Sequence, residues 1–223
     1  MVSRLSTQQI NNISYIDKFV LLGLVSAPTL EKVLFVVFSV IYTMTIFGNL
    51  TVILIIHLDS DLHKPMYFFL ANLAFLETFY TTATTPNTLK NLLQKNRTIS
   101  FVGCFTQMFF FIGLGSAVCV LLSVMAYDRY VAICQPLITV LRIPTVNGRE
   151  KVFSTCGSHL IVVTLFFGTA IITYMLPGSS SFNDHKRLLS VVYGVLTPLI
   201  NPLIYSFRNT DFQHATTKRI QFR

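Results

Sequence analysis

Charge is what this chain has least of. Only 12% of its 223 residues are Asp, Glu, Lys or Arg, 52% are hydrophobic, and the mean hydropathy is +0.62. A soluble domain carries about 25% charged residues, so that class is excluded. Also missing is an apolar core near the start. Met1–Asp17 is polar, with Gln8, Gln9, Asn11 and Asn12, and does not read as a signal peptide. The first apolar run is therefore expected to direct its own membrane insertion. No alternating ten-residue strands are evident, which argues against a transmembrane barrel. An internal repeat and a second broken helix are lacking, which argues against a transporter. Ser158 and His159 are adjacent, but no acid organises them as nucleophile and base, so hydrolytic chemistry has no support and no enzyme is expected. The net charge of +8 is spread over short segments, which fits a membrane surface better than nucleic acid.

What is present is a series of long charge-free runs. Val33–Ile56 lies between Lys32 and His57, and Pro65–Leu89 lies between Lys64 and Lys90, broken only by Glu77. Thr98–Tyr127 is the third, Val152–Leu176 the fourth, ended by Pro177 and Gly178, and Leu188–Phe207 the fifth. About 20 apolar residues span a bilayer, and only helices or closed barrels satisfy the backbone there. The chain is thus expected to be an all-α membrane protein with five spans. Residues 1–32 form the outer N-terminus, 33–207 the bundle and 208–223 the cytoplasmic tail. Val131–Leu141 is too short to cross and contains Pro136.

Charge decides orientation weakly. With the N-terminus outside, nine basic residues fall on the cytoplasmic side and eight outside. The acceptor patterns Asn12-Ile-Ser14 and Asn96-Arg-Thr98 fall on one side, which is the lumen if either is glycosylated. Asn49-Leu-Thr51 also fits but lies within a span.

The stretch Met125–Cys134, MAYDRYVAIC, places Asp128 and Arg129 directly after the third run. Ionisable groups at a membrane boundary are costly and usually functional, although two opposite charges at a solvated helix end neutralise each other equally well. Three more stretches accompany it: PMYFFLANLAFLE (Pro65–Glu77), KVFSTCGSHLIVV (Lys151–Val163) and PLINPLIYSFRN (Pro198–Asn209). With MAYDRYVAICQPL (Met125–Leu137) and GNLTVI (Gly48–Ile53), they resemble, in order, the motifs of vertebrate odorant receptors, which are rhodopsin-like G-protein-coupled receptors.

That resemblance implies a receptor for small volatile odorants that signals through a stimulatory heterotrimeric G protein to cyclic AMP at the plasma membrane. It assigns Asp128, Arg129, Tyr130 and Lys151 to G-protein coupling and places Lys151, Ser154 and His159 on the moving sixth helix, where a polar side chain satisfied at a helix interface is the favoured reading of His159. Asn201, Pro202 and Tyr205 match the seventh-helix switch, in which Pro202 removes a backbone donor and loosens the helix. Asn49, Glu77 and Asn201 match a polar cluster that could hold sodium or a proton, since oxygen ligands suit a hard cation. Val118 stands where many relatives place a second acid. No other cofactor and no metal centre is implied.

The chain departs from the family in one large way. Gln135-Pro136-Leu137 runs almost directly into Val140–Lys151, so the fourth helix, the second outer loop and nearly all of the fifth helix have no counterpart. Two spans plus that loop amount to about ninety residues. Cys104 matches a cysteine whose family partner lies in that loop, so it is expected to be unpaired. The remaining ligand wall implied by the family is Met108, Phe111, Ile112, Gly115 and Ser116, with Phe167, Ala170 and Tyr174 opposite. Such a stripe also suits ordinary interhelical packing. The tail Arg208–Arg223 fits an amphipathic helix on the inner leaflet. The alternative reading is a truncated, non-signalling polypeptide retained in the endoplasmic reticulum, or one pairing with full-length receptors or trafficking proteins.

Overall fold

The computed structural model describes residues 2–10, 13–21, 23–24, 27–140, 164, 168, 190–191, 194–202, 204 and 210–221. Three long helices carry the described bundle. Helix α1, Pro28–Leu58, starts on a proline and has Glu31 in its first turn, both favoured where backbone N–H groups are unpaired and the helix dipole is positive. Its buried residues Phe38, Thr45, Asn49, Val52 and Ile56 recur at helical spacing on one stripe. A 3-10 turn at Ser60–Leu62 follows, in which the Asp59 side chain accepts from the Asp61 N–H. Helix α2, Pro65–Leu93, again starts on a proline and packs against α1.

Helix α2 contains many threonines, and their hydroxyls do not seek water. Thr78, Thr81, Thr82 and Thr88 donate to the carbonyls of Ala74, Glu77, Thr78 and Thr84 at 2.7–3.1 Å. Such back-bonding satisfies the hydroxyl within its own helix, so these residues can reside in a membrane. Tyr42 Oη and Thr82 Oγ1, 3.3 Å apart, share a hydrogen bond that ties α1 to α2.

Helix α3, Phe101–Val140, is capped by Ser100, whose Oγ accepts from the Gly103 N–H at 3.1 Å. A Cβ at Gly103 would meet that Oγ at 2.9 Å, so the cap requires glycine there. The helix is 40 residues long, about 60 Å, and exceeds the roughly 30 Å hydrocarbon core. Asp128 therefore marks where charge begins, not where the helix ends, and the helix passes through Pro136.

The N-terminal segment holds strands of a length the composition did not suggest. Strands β1 (Val2–Ile10) and β2 (Ile13–Leu21) pair antiparallel, and β2 pairs with β3 (Thr98–Ser100) just before α3. Both long strands precede the first expected span and leave the expected helical bundle as it is. Val, Ile, Tyr and Phe among the polar residues supply the β preference, although apolar and polar positions do not alternate cleanly. Leu21 N–H extends the ladder to the Arg97 carbonyl at 2.8 Å, and Phe19 stacks on Phe101 at 5.8 Å.

Three buried clusters hold the helices together. Leu73 of α2 meets Val118, Leu122 and Met125 of α3. Phe38 of α1 and Leu92 of α2 meet Val195, on the helical stretch 194–202. At the opposite end Val52, Ile56, Leu62, Tyr67 and Leu70 enclose Phe212 and Ala215 of a C-terminal helix, Thr210–Gln221. That helix folds back along the 3-10 turn, with Lys218 Nζ 4.0 Å from Asp61 Oδ2. The fourth expected span has only residues 164 and 168 among those described, and the fifth is described in part.

Candidate functional site

Two places in the bundle concentrate polar groups. The first is deep in it. Asn49, Glu77 and Asn201 are 0%, 2% and 2% exposed, so their polar atoms depend on one another rather than on water. Asn201 Nδ2 donates to Glu77 Oε1, and Asn49 Nδ2 donates to the Pro198 carbonyl at 3.3 Å. Both contacts join the first two helices to the stretch carrying Asn201 and Pro202. Gly48 faces Pro202 there, and a Cβ at that position would make ordinary contact with Pro202 Cγ at 3.9 Å. Glu77 Oε2 and Asn49 Oδ1 accept no hydrogen bond among the described residues.

The second place is a cavity of about 300 Å³ where the C-terminal end of α2 meets the N-terminal end of α3, beside β2 and β3. Its wall is mostly apolar, including Leu24, Leu92, Ile99, Met108, Phe111 and Val191, but it also carries Asn87, Asn91 and Gln107. These three amides form a ladder. Asn91 Nδ2 donates to Asn87 Oδ1 at 3.3 Å and to the Asn87 carbonyl at 2.8 Å. Asn87 Nδ2 in turn donates to Gln107 Oε1 at 2.7 Å. An ion pair between Arg97 and Glu31 braces the rim, and Arg97 Nε also donates to the Asn91 carbonyl at 3.1 Å.

Tyr80 lies along α2 between the two places. Its ring is 5.4 Å from that of Phe111, and its atoms are the neighbours that a Cβ on Gly115 or Gly194 would meet, at 3.6 and 3.9 Å.

The family model for olfactory receptors matches residues 38–140 and again 137–222. The chain belongs to the olfactory receptor family. Human olfactory receptor 8I2 is 34% identical, with 94% of this chain and 97% of the relative covered. Human olfactory receptor 2W3 is 36% identical over 88% of this chain and 92% of its own length, and mouse olfactory receptor 2B6 is 34% identical over 94% and 96%. The alignment to 8I2 runs over 301 positions, whereas this chain has 223 residues, so the relative holds positions without a counterpart here. The crystal structure of squid rhodopsin superposes with a TM-score of 0.60 at 11% identity, covering 88% of this chain and 87% of rhodopsin, and shares the fold. The olfactory receptor is accordingly a multi-pass membrane protein of rhodopsin-like fold. It is a G-protein-coupled receptor for odorants and not an enzyme.

The fold gathers some of the expected site residues and disperses others. Glu77 and Asn201 meet directly, with Asn49 close by through Pro198. Pro202 is buried beside Gly48. Asp128 is half-buried in the C-terminal half of α3. The side chains of Arg129 and Tyr130, and all of Lys151, Tyr205, Phe167, Ala170 and Tyr174, lie outside the described residues, as does Asn12. Asn96 is exposed on the bend before β3. Of the expected ligand wall, Met108 and Phe111 line the cavity, whereas Ile112 is 57% exposed and turned away. Gly115 abuts Tyr80 instead. Cys104 is a free thiol on the cavity wall.

Sequence reasoning missed the amide ladder and the Glu31–Arg97 pair. A signal was there: Asn87 and Asn91 stand four apart, with Gln107 close to the start of the next run. Only the antiparallel packing of α2 and α3 brings them together.

Proposed function

We propose that this olfactory receptor couples odorant binding to a stimulatory G protein and thereby to cyclic AMP, with its N-terminus outside the cell. The observation that carries the coupling is the buried Glu77–Asn201 contact, because it links α2 to the stretch where Pro202 weakens the helix. Such a polar contact can be exchanged as that stretch shifts, provided odorant and G protein bind one arrangement better than the other. Asp128, Arg129 and Tyr130 would meet the G protein, together with Lys151 and Tyr205. Sodium is a candidate occupant of the cluster, since Glu77 Oε2 and Asn49 Oδ1 are oxygen ligands left without partners among the described residues. Glycans on Asn12 and Asn96 would fix the orientation. Odorant-dependent cyclic AMP in cells carrying the chain, lost in Arg129→Ala, tests the reading. A flat response to a broad odorant panel at confirmed surface expression overturns it.

A second reading is favoured by one observation. The two family matches meet at residues 137–140, where the fourth and fifth helices and the second outer loop would stand. Along α3, Val102, Phe109, Ile112 and Val120 are 72%, 72%, 57% and 65% exposed. A helix that has lost neighbours would be retained in the endoplasmic reticulum or would pair with a full-length receptor. Complete glycosidase-H sensitivity of its glycans supports retention, and a surface pool carrying resistant glycans opposes it.

A further inference from the structure

We propose that the outer cavity between α2, α3 and the N-terminal sheet is a binding site for a small neutral ketone, aldehyde or ester, oriented by Gln107. The inference takes its ligand class from the odorant-receptor reading, but it rests on geometry of its own.

The amide ladder has a direction. Each step donates from Asn91 to Asn87 to Gln107, so the chain ends on the donor side of Gln107. Its Nε2 hydrogens meet no acceptor among the described residues, and Gln107 lines the cavity. Amides bonded in series polarise one another, which strengthens the terminal donor. A ligand supplying a carbonyl oxygen there completes the ladder. The rest of the ligand would lie against Met108, Phe111, Leu24 and Val191. An apolar wall with a few placed polar groups is the usual form of a small-molecule site. A volume of about 300 Å³ is at the lower end of such sites and suits a small ligand.

The site's cover is local. Strand β2 is held to β3 by backbone pairing, and Arg97 is bound both to Glu31 and to the Asn91 carbonyl. A roof of this kind needs no second outer loop. It places the ligand on α2 and the outer part of α3, and Phe111 carries contact onward to Tyr80, one turn above Glu77.

Cys104 supplies a reporter, because its thiol is free and lines the same cavity. Cys119 is a second free thiol on α3 outside the cavity lining and serves as the internal control. The full chain in lipid nanodiscs would be alkylated with iodoacetamide, with 2-octanone or n-octane present, and each cysteine peptide followed by mass spectrometry. The ketone should slow modification of Cys104 and leave Cys119 unchanged. A neutral hydrogen bond worth about 1 kcal/mol predicts about fivefold tighter protection by the ketone than by the alkane. Gln107→Leu and the nearly isosteric Gln107→Glu should each abolish that preference. Equal protection by octane, no protection by the ketone, or an unchanged preference in both variants overturns the proposal. The readout needs no G protein. Protection without a cyclic AMP response would leave the site standing and count against signalling alone.

Discussion

Helices α2 and α3 lie side by side and use the membrane in opposite ways. Helix α3, over Phe101–Asp128, is long and apolar enough to cross a bilayer, as is α1, whereas α2 is not among the helices that pass on composition. Yet α2 is the more enclosed. Eight of its residues are buried, and three of those, Glu77, Thr81 and Thr85, are polar. Described residues of α3 that are buried number three: Val118, Leu122 and Met125. In water the apolar helix would be the core. In lipid an apolar face has no reason to hide, and association depends on packing and on polar groups that need partners. Polar residues therefore turn α2 inward, whereas Phe101, Phe105, Phe109 and Phe110 of α3 remain exposed.

The contrast can be broken most sharply at the polar cluster. Asn201→Leu should destabilise the receptor by about 1–3 kcal/mol, the usual consequence of leaving a buried polar partner unsatisfied. Thermal unfolding in nanodiscs measures it, and Glu77→Gln should retain most of the contact and lie close to wild type. An unchanged midpoint for Asn201→Leu would remove the cluster from any structural role.

A smaller effect is expected within α3 itself. Leu122 is 0% exposed and Val120 is 65% exposed, two residues apart on one helix. Leu122→Ala should cost on the order of 1 kcal/mol in lost packing, since lipid supplies no water-transfer contribution. Val120→Ala should fall within about 0.5 kcal/mol of wild type. Similar losses at both positions would show that α3 has a protein neighbour on its outer face, as a pairing partner would provide.

The least effect is expected at the rim. Glu31→Gln should weaken the partly exposed Glu31–Arg97 pair by about 0.2–1 kcal/mol, with a dependence on salt. Protease sensitivity of the N-terminal hairpin should rise with it, because Arg97 also carries the backbone contact to β2. No change in cleavage rate would assign the strand its stability from β pairing alone.

The sequence by itself determined the class and most of the bundle's grammar. Charge scarcity and long uncharged runs are conditions of crossing a bilayer, and the Asn49, Glu77 and Asn201 motifs could be recognised because each lies in a distinctive local string. The end of α3 was less legible, since a charge ends a span but not a hydrogen-bonded helix. The N-terminal sheet was not legible either: β2 acquires its second partner from β3, 77 residues beyond Leu21 at Thr98, and strand pairing over that distance leaves no periodic trace. Tertiary structure alone decided which polar residues meet. Asn87 and Gln107 become partners because α2 and α3 run antiparallel in close contact, and Ile112 leaves the cavity because its face of α3 points away from α2. Composition states what must be satisfied in a membrane, but the partner that satisfies it is fixed only when the helices pack.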